Sequence, residues 1–132
     1  MIDDTRASEI TEHDPEIDET QRLISSRKVE GTHVYNLEGE HIGSVDSFMV
    51  DKLSGQVSYA VMSFGGFLGI GERYHALPWD ALTFDTSAGG YVVNITREQL
   101  EGGPSFAHGD DPWTDPEYGR LIHSHYGLPY RM

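Results

Sequence analysis

The chain has no cysteine, so neither a disulfide nor a thiolate metal site is available to it. It has no apolar run near the ~20 residues that cross a membrane as a helix. Its opening, Met1-Ile2-Asp3-Asp4, lacks the basic-then-apolar order of a secretion signal. Together these absences predict a cytoplasmic protein with no transmembrane segment. Positive charge is scarce: nine Lys and Arg stand against 22 Asp and Glu in 132 residues, a net of −13. Residues 1–22 carry −6, residues 23–100 carry −4 and residues 101–132 carry −3. Such a field repels phosphate backbones and anionic lipid, so no nucleic-acid partner is expected.

Catalytic patterns are missing as well. No Gly-x-Ser-x-Gly elbow occurs, and the many carboxylates fall in no recognisable acid/base spacing, so no enzyme and no catalytic residue is predicted. The run Gly65-Gly66-Phe67-Leu68-Gly69-Ile70-Gly71 is rich in glycine, but its spacing is reversed relative to a dinucleotide fingerprint and no helix signal follows. It reads as a loop between strands, with Phe67, Leu68 and Ile70 as an apolar tip suited to packing on a partner. Seven histidines raise the question of a metal. His123 and His125 would face the same way in an extended segment, but roughly 200° apart in a helix. No third ligand lies close by in sequence, so the expectation is no metal and no cofactor.

What is present is a succession of short β-rich runs punctuated by turn residues. Residues 1–22 are too acidic and too poor in large apolar side chains to order themselves, and read as a flexible tail. Ser25 or Ser26 can cap one helical turn through Val29. Strands are predicted over 32–35, 42–51, 57–64, 73–78, 81–85 and 91–95. The apolar phase of the second changes between Val45 and Phe48, which predicts a bulge near Asp46-Ser47. Thr96 to Gln99 has the form of a capping box, opening a short helix that stops by Gly102-Gly103. The expected core is Val34, Ile42, Val45, Phe48, Val50, Tyr59, Val61, Leu77, Leu82, Val92 and Ile95. Trp79, after Pro78, is expected to plug one barrel end. The fold class is therefore mostly β, a small antiparallel barrel of about six strands with a helix after the last, in a domain spanning 23–103.

Residues 104–132 make a C-terminal arm that alternates proline with Phe106, Trp113, Tyr118, Tyr126 and Tyr130. It is too apolar for a solvated linker and should dock on something. Its prolines favour an extended path, with one short helical turn around 116–121. Trp113, Tyr118, Leu121, Ile122 and Tyr126 join the loop tip as the candidate interaction surface.

The order Val34-Tyr35-Asn36 with Gly39, Ile42-Gly43-Ser44-Val45, Gly65–Gly71 and Leu77-Pro78-Trp79 resembles the PRC-barrel family. That family is named for the cytoplasmic domain of the photosynthetic reaction centre H subunit. The resemblance spans about 23–100 and implies a non-enzymatic adaptor that binds other proteins. No shared ligand site comes with it. Two further readings stand beside it: a small-molecule or metal-binding regulator, and a ribosome- or RNA-associated factor, the latter disfavoured by the charge. An open barrel leaves edges to be paired, so a homodimer is expected, with the arm as a possible exchange element.

Overall fold

A computed structural model describes residues 23–64 and 73–130. Contacts divide the chain into two compact units, 1–30 and 31–132. Within the first, helix α1 (Ser26–Val29) is a single turn whose N-cap, Ser25, accepts a hydrogen bond from the Arg27 amide.

The second unit is built on one six-stranded sheet, β1 (His33–Tyr35), β2 (His41–Val50), β3 (Val57–Phe64), β4 (Arg73–Pro78), β5 (Leu82–Asp85) and β6 (Gly90–Val93). Its order is β4-β3-β2-β1-β6-β5, curled into a half-barrel. Every neighbouring pair is antiparallel except β1 with β6, which run parallel. The expected mostly-β barrel with a helix after its last strand is therefore what forms, with one parallel pair that hairpin reasoning does not foresee. The predicted bulge is present: the β2–β3 register shifts between Val45 and Ser47, leaving Asp46 as the extra residue.

Side chains alternate across the sheet, and directly paired residues share a face. Val34, Val45, Ala60, Met62 and Leu77 lie on the concave face, all at most 1 % exposed. Phe48 and Tyr91 join them there, and the half-buried Trp79 sits beside both rings, 6.3 Å and 5.6 Å between centroids. It belongs to a 3-10 turn, Trp79–Ala81, that carries the chain from β4 into β5. Helix α2 (Arg97–Glu101) begins with the expected capping box, Thr96 accepting from Gln99 N–H while the Gln99 side chain accepts from Thr96 N–H. Leu100 buries completely beneath it. Arg97 fixes the helix to the β1–β2 turn through the Glu40 carboxylate, at 2.7 Å and 3.0 Å. Buried Asn36 holds that carboxylate from the other side.

Six of the expected core residues are buried: Val34, Ile42, Val45, Val61, Leu77 and Ile95. Phe48, Tyr59, Leu82 and Val92 are half-buried. Val50 is exposed, because a second register shift falls between Met49 and Val50 where β2 runs out into the Asp51 turn. The arm also departs from expectation. In place of one turn it forms helix α3 (Tyr118–Tyr126), nine residues long and closed by Gly127 at φ +69. Its buried residues, Tyr118, Ile122 and Tyr126, are spaced four apart on one face, and the helix lies against β4. That burial stabilises a helix too short to persist alone.

Candidate functional site

The convex face of β2, β3 and β4 presents Met49, Tyr59, Val61, Tyr74 and Ala76, an apolar set that strand alternation alone would leave in water. The arm covers part of it. Phe106 extends the sheet by a single antiparallel bridge at the β4 edge, exchanging two backbone hydrogen bonds with Tyr74 at 2.9 Å and 3.0 Å. A turn follows in which Gly109 takes φ +95, a conformation side chains rarely adopt. Asp111 then caps a 3-10 turn, Pro112–Thr114, by accepting from Trp113 N–H.

This path seats Trp113 among Tyr59, Tyr118 and Phe106, at 5.3, 5.2 and 6.4 Å between ring centroids. Tyr74 lies 5.6 Å from Phe106 and 6.1 Å from His108. Between the arm and the barrel a groove of about 190 Å³ stays open. Met49 and Val61 are in its wall, with the rings of Tyr74, Phe106 and Trp113, and Asp46 of the bulge belongs to the same lining.

The sequence-predicted surface residues separate in this setting. Trp113 is half-buried in the groove wall and Leu121 is exposed on α3. Tyr118, Ile122 and Tyr126 are buried within the chain's own fold. Phe67, Leu68 and Ile70 lie outside the described residues. Met49, Tyr74, Phe106 and Asp46, none of them in the predicted interaction surface, also line the groove. Their advance signs were the alternation of β4, the bulge at Asp46 and the aromatic content of the arm, but nothing local says where the arm lands.

Three side chains, His75 of β4 and Tyr118 and Tyr126 of α3, carry a buried polar atom with no hydrogen-bond partner among the described residues. His75 is 3 % exposed, the atom concerned is its Nδ1, and its ring meets Phe64 edge-on at 5.5 Å. Burial, reinforced by Arg73 and His125, lowers its pKa to about 4. Tyr118 and Tyr126 also have buried hydroxyls without partners, and burial pushes Tyr126 up to about 12.

As for metals, His123 donates to the Gly119 carbonyl at 2.8 Å, while His125 donates to the Gln99 carbonyl at 2.7 Å. In helix α3 the two rings point apart. His33 and His41 lie close together beside Tyr35, with ring centroids 4.3 Å apart. No group of three or more His, Cys, Asp or Glu able to hold an ion occurs among the described residues. Nor is any described helix long and apolar enough to cross a membrane.

A comparison with curated proteins found no match. The PRC-barrel domain family matches over residues 22–100, the span from just before α1 to the end of Leu100 in α2. With the half-barrel sheet, its bulge and the capped helix after β6 all inside that span, the chain belongs to the PRC-barrel domain family.

Proposed function

We propose that this chain is a non-catalytic protein-interaction module working in the cytoplasm, and that it engages its partner at the groove between the arm and the convex face. The observation that supports this is the composition of the groove. An apolar, aromatic-walled depression on an accessible face, half built by an appended segment, is the kind of patch that marks a binding surface. Interfaces concentrate Trp, Tyr, Phe and Met at their centres, and four such side chains converge here.

The test is to fill the groove without disturbing the core. Ser47 is half-buried at its edge, opposite Val61. The full chain should capture a cross-linked protein partner that Ser47→Trp fails to capture while melting at the same temperature. A partner retained by Ser47→Trp, or no partner at all, would overturn the reading. A several-degree stabilisation by zinc, nickel or a metabolite would instead favour a small-molecule or metal-binding regulator.

A second copy of the chain is a further proposed partner, on a separate observation. Among the described residues β5 pairs only with β6, so no described strand covers its outer edge. Edge strands of this kind are paired or guarded in stable proteins. Light scattering should give twice the chain mass, and Thr83→Pro, on that edge, should return a monomer. A monomeric full chain would dismiss the dimer.

A further inference from the structure

We infer that the groove selects a basic side chain, a lysine or arginine presented by the partner protein; this rests on the interaction reading above and specifies its chemistry. Three features converge. First, the wall offers aromatic faces, Tyr74, Phe106 and Trp113, whose rings attract a cation within about 6 Å of the centroid. Second, Asp46 lines the same groove. The bulge gives it a place with no counterpart on β3, its side chain is exposed, and the Ser47 hydroxyl donates to its Oδ2 at 3.1 Å. Bulges characteristically re-aim a side chain in this way. An apolar side chain seated here would strip water from that carboxylate and return nothing, whereas an ammonium or guanidinium would pair with it. Third, about 190 Å³ falls below the ~300 Å³ at which sites start to enclose a drug-sized molecule. The space suits one extended side chain, its methylenes on Met49 and Val61 and its charged head toward Asp46.

The charge of the whole molecule points the same way. A net −13 draws basic partners in and turns acidic ones away. That general attraction is also the main competing explanation for any basic ligand that binds, so the experiment must separate the groove from the field.

The probes are two pentapeptides, Gly-Gly-Lys-Gly-Gly and the same peptide with its lysine acetylated. They are titrated into the full chain while the Trp113 indole N–H is followed by NMR. Acetylation keeps the aliphatic stem and removes the charge. The lysine peptide should shift the Trp113 signal saturably and the acetylated one should bind about threefold more weakly or worse. Asp46→Asn should weaken the lysine peptide by a similar factor, while Glu98→Gln, an equal loss of charge on exposed helix α2, should not. Equal affinity for both peptides would overturn the inference in favour of an unselective apolar groove. Equal effects of Asp46→Asn and Glu98→Gln would reduce it to the overall field. Groove signals that move with the chain's own concentration would assign the groove to a second copy, also against the inference. Partner capture lost in Ser47→Trp but unchanged in Asp46→Asn would sink the basic side chain and leave the interaction reading standing.

Discussion

Leu121 and Ile122 are chemically alike neighbours on α3 that the fold treats oppositely. Ile122 is fully buried and Leu121 is 54 % exposed. Truncating Ile122 to Ala removes buried methylenes and leaves a cavity between α3 and β4, a change that costs 2–5 kcal/mol in well-packed cores. With no residual exposure to discount, the middle of that range applies, about 3–4 kcal/mol. Total stability of such a domain is only ~5–15 kcal/mol, so the loss is a large share of it. At about 4 °C per kcal/mol for a domain of this size, the melting midpoint should fall by roughly 12–16 °C. Leu121→Ala removes an equal number of carbons from water-facing surface and should stay within ~0.5 kcal/mol. Thermal and urea unfolding of both variants, with amide exchange at Tyr74 and Phe106, makes the comparison. Should α3 undock locally before the barrel opens, the exchange at that bridge accelerates first. Two variants that melt together, with the bridge amides unchanged, would refute the docking of the arm on β4.

Four other outcomes follow from the same structure. A Cβ built on Gly43 would run into the Ser63 carbonyl oxygen of the neighbouring strand, so Gly43→Ala should cost ~1–3 kcal/mol in urea unfolding. His75 is held neutral by burial, with a folded pKa of about 4 against an ordinary 6.5. The unfolded chain takes up the proton first, so stability is present above pH 6.5 and is lost as pH falls toward 4, by up to ~3 kcal/mol. His75→Gln should flatten that part of the pH profile, and an unchanged slope would contradict it. Tyr126 gives the mirror case at the alkaline end: its folded pKa of about 12 exceeds 10, so its contribution persists below pH 10 and fades as pH rises toward 12. Tyr126→Phe should remove this alkaline loss in the same unfolding series. Thr96→Ala removes the side-chain half of the α2 capping box, the hydrogen bond Thr96 accepts from Gln99 N–H, and should lower stability by ~1 kcal/mol by thermal melting.

Much of this molecule is written locally. β3 and β4 fall on their predicted residues, because a β-rich run bounded by turn residues has few other choices. The Asp46 bulge was legible as a break in apolar phase, and the α2 cap as a Thr-x-x-Gln spacing, since both depend on neighbours within a few residues. The family could be read from the order of the same short segments. The parallel β1–β6 pairing, by contrast, joins residues almost sixty positions apart, and no local signal encodes it. Helix α3 was underestimated for a related reason: its sequence is a weak helix former alone, and packing of its Tyr118, Ile122 and Tyr126 face against β4 and the Pro112–Thr114 turn stabilises it.

Sequence by itself determined the acidic charge, the strand runs, the bulge, the capped helix and the aromatic wealth of the arm, because each is set by composition or by contacts a few residues long. Which of those aromatic residues are spent inside the fold and which remain on its surface was decided only by tertiary structure. Leu121 and Ile122 carry the same hydrophobic signal, and Trp113 and Tyr126 nearly so; what distinguishes them is the direction each side chain takes once Phe106 pins the arm to the edge of β4. The groove exists for the same reason, since it is the space left where two segments more than thirty residues apart fail to close completely on one another.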